Sequence, residues 1–416
     1  MTAPAGRAPA IRRGGRNAAR PRTSLTSEQR SAAMDVADRL AAGADEVVVG
    51  GLAGVGKSVV ASEIHASVGV SRAAVAYAAP TGKAAHELSK KLRGPQATTI
   101  HRLIYWPVEQ HCTKCPRRGW AGGPSSGPRC HGYACDGCAV RYERREELDE
   151  AVQLIVVDEA SMVSEELHGD LTAYGIPVLW FGDIGQLPPV KSEFHLMAEP
   201  DVLLTTIHRQ AADSPILKLA MQARRTGRIR PGRYGPGVVV GGDTEFDVEL
   251  VHGRWPSETI ILCGRNSTRV ETNRMVRGLL GYPDEPVPSD RVICLRNNHA
   301  LGVFNGTTGT VLSIRPRTAT TYDAVIAVDG AEGLPPYRGV IAAEQFHAER
   351  TCTEVPRHTD LFDYAYCMTV HKAQGSEADR VVLYDEWFGK DRARWLYTGI
   401  TRARQHLQVI TTGGPR

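Results

Sequence analysis

The chain has 416 residues, 42% of them apolar and 6% aromatic, and its 50 Lys and Arg against 46 Asp and Glu leave a formal charge of +4. That length gives room for two or three domains of ordinary size, and so for a sizeable core. The charge excess is too small to indicate a polyanionic partner by itself, and no apolar run is long enough to cross a bilayer as a helix.

Residues 1–24 are rich in Arg, Ala, Gly and Pro, with neither hydrophobic periodicity nor the apolar stretch of a secretory leader. They read as a disordered basic arm on a cytoplasmic protein. Short β-branched runs then recur, each ending at a polar or Gly-rich turn: EVVVG (46–50), AVAYAAP (74–80), LIVVDEA (154–160), PVLWFGD (177–183), TIILCGR (259–265), RVVLYDE (380–386) and HLQVIT (406–411). Most are too continuously apolar for a sheet with one wet face, so they are predicted as central strands of two parallel α/β sheets. Between Asn305 and Asp329 the pattern changes to alternation with turn signals at Asn305-Gly306 and Asp329-Gly330, the mark of a small antiparallel insertion. A domain boundary is expected near Glu199-Pro200.

GLAGVGKS (51–58) follows the first run and opens a helix-like segment, the context in which glycine backbone wraps phosphates. The candidate nucleotide contacts are Gly51, Gly54, Val55, Gly56, Lys57, Ser58 and Val59. Lys57 reaches the outer phosphates and Ser58 supplies an oxygen to Mg²⁺. LIVVDEAS ends in Asp158, placed to hold Mg²⁺, and Glu159, placed to deprotonate the attacking water. Asp183 and Gln186 follow the next run, where an amide can sense a γ-phosphate. Arg209 in TTIHRQ and Arg402 in YTGITRAR have the fixed planar charge that phosphoryl transfer uses, and their positions far down the chain imply a nucleotide between two domains.

Taken in order, these strings resemble the motif series of superfamily 1B helicases, in particular the RecD-like and Dda-like branch of 5′ to 3′ DNA helicases. LTSEQR supplies the adenine-recognising Gln29; GLAGVGKS, APTGKAA, TTIHRLI, VVDEAS, GDIGQLPPV, IHRQ, MTVHKAQGSE and YTGITRA follow. The resemblance implies an α/β fold of two RecA-like domains. The first would span 25–199 with a zinc-bearing insertion at 105–148, and the second 200–416 with an SH3-like β insertion at 300–358. It also implies ATP and Mg²⁺ as cofactors, Gly375 and Ser376 near the nucleotide, and single-stranded and forked DNA as partners. DNA contacts would fall on Thr81, Thr99, His101, Thr369 and His371, small hydroxyls and imidazoles that grip a backbone without reading bases. Thr98 and Thr99 also fit a helix N-cap. Two other readings stay open: an RNA or RNA–DNA helicase, and an ATP-switched DNA- or partner-binding adaptor that does not unwind.

Five of nine cysteines crowd into residues 111–138. Cys112 with Cys115 and Cys135 with Cys138 form two C-x₂-C pairs at the spacing of a four-cysteine zinc site, with Cys130, His131 and His111 as spare donors. The intervening Gly, Pro and Ser cannot build a core, so the expected Zn²⁺ is structural. The module stands where the resembling helicases carry a strand-separating pin, making Trp106, Arg117, Arg118 and Trp120 candidate fork contacts; a docking surface for a replication or recombination protein is the rival reading. Cys263, Cys294, Cys352 and Cys367 are expected to be buried thiols.

Overall fold

The computed structural model describes residues 25–92, 95–108, 110–111, 118–119, 141–189, 194–207, 213–242, 255–256, 258–298, 301, 303–329, 335–353, 355, 359–386 and 391–411. The expected basic arm, Arg209 and all the clustered cysteines lie outside them.

In the first compact unit, helix α1 (Ser27–Ala41) begins at a reciprocal capping box between Thr26 and Gln29. There follow β1 (Glu46–Gly51), α2 (Lys57–Val68), β2 (Val75–Ala79), α3 (Gly82–Lys91), β3 (Thr98–Thr99) and α4 (Ile100–Ile104). The first unit breaks off at Tyr105 and resumes at Arg144; the chain between, which groups with the second unit, holds two short pairs, β4 (Tyr105–Val108) with β7 (Arg141–Arg144) and β5 (Gln110–His111) with β6 (Arg118–Gly119). The chain continues through β8 (Leu154–Val157), α5 (Glu165–Thr172), β9 (Val178–Asp183) and β10 (Val202–Leu204). The sheet order is β10-β1-β9-β8-β2-β3, every neighbour parallel.

Both faces of this sheet are covered, which accounts for the unbroken apolar runs. Val47, Val49, Tyr77, Val156 and Phe181 pack with Val36 and Leu40 of α1 and Val60 and Ile64 of α2. Val48, Ala78, Ile155, Val157 and Trp180 pack on the other side with Ile100, Ile104, Leu167 and Leu171. A fully buried side chain of this size contributes about 1.5–3 kcal/mol, so the sheet holds its strand ends as a rigid frame.

The first unit runs on to Ser214, beyond the expected division at Glu199-Pro200. The reason is β10, which pairs Val49 with Val202 and Gly51 with Leu204 and so extends the first sheet past that proline.

The second unit contains α6 (Pro215–Thr226), β11 (Gly232–Gly235), β12 (Val238–Gly242), β13 (Thr259–Cys263), α7 (Asn266–Leu279), β14 (Arg291–Cys294), β15 (Thr308–Thr318), β16 (Thr321–Val328), β17 (Tyr337–Ala342), β18 (Thr359–Asp360), β19 (Phe362–Tyr364), β20 (Cys367–Thr369), β21 (Ala378–Tyr384), α8 (Arg392–Ile400) and β22 (Ala403–Thr411). One sheet runs β11-β12-β22-β21-β13-β20, parallel except at β11–β12. The other runs β18-β17-β16-β15-β14-β19, antiparallel except at β17–β18. This second sheet reaches from Arg291 to Tyr364, wider than the alternating stretch that announced it. Its longest hairpin turns at residues 319–320, while Asn305-Gly306 and Asp329 lie at the outer ends of the two strands.

Helix α7 ties these two sheets together with buried polar groups. Arg269 donates to Asp363 Oδ2 at 2.5 Å and to the Ala348 carbonyl at 2.7 Å. Arg277 donates to Asp290 Oδ1 at 3.0 Å and to the carbonyls of Asp284 and Glu285. Asn273 exchanges hydrogen bonds with Cys367, its Oδ1 accepting from the Cys367 amide at 2.8 Å. Cys263, Cys294 and Cys367 are buried as expected, whereas Cys352 is only half-buried. Among the described residues no helix is long and apolar enough to cross a membrane.

Arg269→Met leaves Asp363 as an unpaired buried charge and is expected to cost about 3–5 kcal/mol. Adding Asp363→Asn should recover most of that loss. Urea unfolding of both variants measures it, and equal losses in the single and double variants would contradict the pairing.

Candidate functional site

The parallel order sets the site. Strand β9 lies between β1 and β8, so three loops leave the same sheet edge side by side. The first is the P-loop. Gly54 and Gly56 adopt left-handed φ values of +84° and +82°, which a side chain would strain. A Cβ on Gly51 would stand 2.7 Å from Val55 Cγ2. Gly56 is the N-cap of α2, and no side chain caps that helix, so its first N–H groups point where a phosphate oxygen would be accepted. Val59 N bonds Gly56 O at 3.0 Å within this first turn.

Lys57 Nζ donates to the carbonyls of Gly51 and Leu52, each at 2.9 Å, and lies 3.7 Å from Asp183 Oδ2. Ser58 Oγ donates to Asp158 Oδ2 at 3.1 Å across a hundred residues of sequence. Asp158 is buried, and its other oxygen accepts from the Glu159 amide at 3.0 Å. Glu159 has φ +57°, an uncommon state for a side chain without local backbone mimicry and one found at functional sites. Gln186 is 4% exposed, and its Oε1 finds no hydrogen-bond partner among the described residues. Gln29 Nε2 donates to Val55 O at 3.1 Å, joining α1 to the P-loop.

Left-handed glycines, uncapped amides, a lysine and a hydroxyl–carboxylate pair match the needs of a nucleoside triphosphate. Ser58 and Asp158 fit Mg²⁺, which is usually held by one or two carboxylates together with phosphate oxygens and water. Among the described residues no group of three or more His, Cys, Asp or Glu could hold a metal unaided.

The hydroxyl of Thr81 accepts from Ala84 N at 3.2 Å and that of Thr99 from Arg102 N at 3.1 Å, so both cap helices. The N-cap alternative therefore holds for Thr99. His101 is exposed and stacks obliquely with Tyr105 at 5.5 Å. In the second unit Thr369 O accepts from Ala373 N at 3.1 Å, which turns the chain after β20. His371 is half-buried, and that burial lowers its pKa, favouring a neutral imidazole. Gly375 has φ +71°. Arg402 donates from Nη1 to the Ser376 carbonyl at 3.2 Å, from Nε to Thr398 O at 3.0 Å and from Nη2 to Thr401 Oγ1 at 3.2 Å.

Two residues went unremarked in the sequence. Lys91, at the end of α3, donates to Ser58 Oγ at 3.2 Å. Glu28 accepts from the chain after β10. Neither contact leaves a local signal, because both partners are remote in sequence.

The AAA-domain family profile matches residues 24–234, just over half of the chain, and that of the UvrD-like helicase C-terminal domain matches residues 364–410. The chain is 28% identical over 429 residues to the ATP-dependent RecD2 DNA helicase of Deinococcus radiodurans, covering 93% of this chain and 49% of that one. The chain belongs to the AAA-domain family, and its likeness to the RecD2 helicase is to a RecD-like superfamily 1B protein. It thus spans about half the length of that relative. The RecBCD enzyme subunit RecD of Mycolicibacterium smegmatis is 26% identical over 400 residues, covering 81% of this chain and 61% of that subunit. The crystal structure of Bacteroides Pif1 bound to ssDNA shares the fold, with a TM-score of 0.56 at 16% identity over 94% of this chain and 92% of that one. These likenesses support the α/β fold of two RecA-like domains.

Replacing Glu159 with Gly relieves a left-handed side chain and is expected to raise the stability of the first unit by about 1 kcal/mol. Glu159→Gln keeps the strain and should leave stability unchanged. Thermal unfolding of the two variants separates these outcomes.

Proposed function

We propose that this RecD-like chain is an ATP-dependent helicase that moves 5′ to 3′ along single-stranded DNA and separates duplex ahead of it. The observation that carries the reading is the convergence of Lys57, Ser58, Asp158 and Asp183 within 3.7 Å of a partner at adjacent strand ends. ATP would lie with its phosphates on Gly54, Val55, Gly56 and Val59, its adenine near Gln29, and Mg²⁺ on Ser58 and Asp158. The metal supplies neutralising charge to the phosphates. Glu159 orients and deprotonates water, Gln186 senses the γ-phosphate, and Arg209 and Arg402 contribute positive charge. Gly375 and Ser376 are proposed near the nucleotide together with Arg402, whose guanidinium donates to the Ser376 carbonyl.

Single-stranded DNA would pass over Thr81, Thr99, His101, Thr369 and His371. A capped threonine still has a hydroxyl proton to donate to phosphate, and a neutral imidazole bonds without adding a permanent charge. The sheet from Arg291 to Tyr364 is proposed as the SH3-like insertion of the second domain. Residues 105–148 are proposed as the first-domain insertion, with Zn²⁺ on Cys112, Cys115, Cys135 and Cys138 and with Cys130 and His131 as spare donors. Trp106, which is 51% exposed at the start of that insertion, suits stacking on an unpaired base. The protein names that support this reading are those of its relatives, an ATP-dependent DNA helicase and a subunit of RecBCD.

Strand displacement on duplexes with a 5′ or a 3′ single-stranded tail is the deciding experiment. Displacement from the 5′ tail alone, abolished in Lys57→Ala, is expected. Displacement from the 3′ tail alone would overturn the polarity. DNA-stimulated ATPase without displacement would favour an ATP-switched adaptor, and stimulation by RNA rather than DNA would change the substrate.

Replacing both Cys112 and Cys115 with Ser should remove bound zinc, measured by metal analysis, and abolish displacement while single-stranded DNA still stimulates ATPase. Loss of zinc with unchanged displacement would assign the module to docking rather than to strand separation.

A further inference from the structure

The register of the parallel sheet in the second unit puts two loops on one edge. Strand β20 ends at Thr369, with His371 just beyond it, and runs parallel to β13, β21, β22 and β12. Strand β11 runs the other way, and its first residue, Gly232, is in register with Val240 near the end of β12. Residues 227–231, which lead into β11, therefore lie at the carboxyl edge, the edge from which Thr369 and His371 also leave. The two loops stand at opposite flanks of a six-stranded sheet, about 24 Å apart at the usual strand spacing.

The leading segment is rich in arginine. Arg225 is in the last turn of α6, Arg228 and Arg230 follow in the loop, and Arg233 is the second residue of β11. All four are exposed, and among the described residues none of them forms an ion pair. Asp385 and Asp391, beside the helix that packs on α6, pair instead with Arg392 and Arg394 of α8. By contrast Arg39, Arg317 and Arg404, also at the surface, pair with Asp35 and Asp201, with Asp323, and with Asp379 and Glu258.

The backbone beneath the four side chains is held in place. Gly227, at φ +63°, donates its amide to Ala223 O at 2.8 Å, and its carbonyl accepts from Arg392 Nε at 2.9 Å. Thr226 Oγ1 accepts from Arg228 N at 3.1 Å. Tyr234 Oη accepts from Arg230 N at 3.2 Å and donates to Arg230 O at 2.9 Å. A solvated charged face needs no such ordering. A phosphate-binding loop benefits from it, because a backbone fixed beforehand lowers the entropic cost of binding.

We propose that Arg225, Arg228, Arg230 and Arg233 form a further contact for single-stranded DNA, which reaches them along the carboxyl edge from Thr369 and His371. Phosphate is the chemistry they suit: a guanidinium carries a permanent charge and a planar fork that matches phosphate oxygens. Contacts to the backbone alone carry no sequence preference, as a moving strand requires. The inference rests on the DNA-binding reading above and extends that track to the far flank of the sheet.

The test measures the affinity for oligo-dT against salt concentration. It compares the intact chain with Arg228→Gln/Arg230→Gln/Arg233→Gln and with Arg228→Lys/Arg230→Lys/Arg233→Lys. Each single-strand phosphate contact contributes about 0.7 to the slope of log affinity against log salt. The Gln triple is expected to lower the slope by about 1.4 or more, and the affinity at about 0.1 M salt by about tenfold. The Lys triple, which retains the charge, should keep the slope. Thermal unfolding and DNA-free ATPase should match the intact chain in both variants.

An unchanged slope in the Gln triple overturns the proposal; if that protein has also lost binding to polyglutamate, the loop belongs to an acidic protein partner. A loss seen with blunt duplex but not with oligo-dT overturns it in favour of a duplex contact. If the intact chain itself binds no oligo-dT, the DNA-binding reading falls and this one with it, whereas normal binding by both the intact chain and the Gln triple sinks the proposal alone.

Discussion

The parallel placement of β9 between β1 and β8 governs the chemistry of the first unit. Gly51, the last residue of β1, is in register with Asp183, the last of β9, and Val157 at the end of β8 is in register with Trp180. Loops that leave neighbouring parallel strands in the same direction crowd one edge of the sheet, where open α/β sheets bind their ligands. The serine that follows Lys57 can then meet a carboxylate one hundred residues away without any long side chain. The packed layers on both faces keep those strand ends from relaxing apart.

The polar groups at that edge differ in kind from those elsewhere. Arg269, Arg277 and Asn273 in the second unit are buried with their hydrogen-bonding capacity matched, as a structural network requires. At the phosphate edge, Glu159 sits in a strained conformation, Gln186 buries an unmatched oxygen, and Lys57 turns back onto loop carbonyls. Local rules are broken where a ligand would repair them, which is how a binding site differs physically from a core. Arg402 falls between the two cases: three oxygens of its own unit fix the plane of its guanidinium, so its orientation is settled by the fold.

The central strands were legible because burial on both faces forces unbroken apolar runs such as Val47-Val48-Val49 and Ile155-Val156-Val157. The P-loop was legible because its glycines are dictated by backbone geometry rather than by partners. The edge strands were not. Thr98–Thr99 and Val202–Leu204 are two and three residues long, too short for any period to show, and that is why the first unit extends further than the proline at 200 suggested. The limits of the antiparallel sheet were obscured for a related reason. Arg291–Cys294 and Phe362–Tyr364 are buried along their whole length and each buries a charged residue, Arg291 and Asp363, so neither shows the alternation of a one-sided strand. Glu28 and Lys91 look like ordinary surface charges in sequence, and only the tertiary fold gives them partners.

The antiparallel sheet also bears on how the second unit can assemble. Strands β13 and β20 are adjacent in the parallel sheet, with Ile261 beside Cys367, yet they are about a hundred residues apart in the chain, and closing so long a loop from an open coil carries an entropic cost that grows with length. The intervening sheet removes most of that length. Its strands β14 and β19 place Val292 against Tyr364, so once this sheet has formed the chain emerges beside the point where it entered, three residues before β20 begins. The insertion thus serves as a folding template, built largely from neighbouring hairpins of low sequence separation, that delivers the last strands of the parallel sheet to their register.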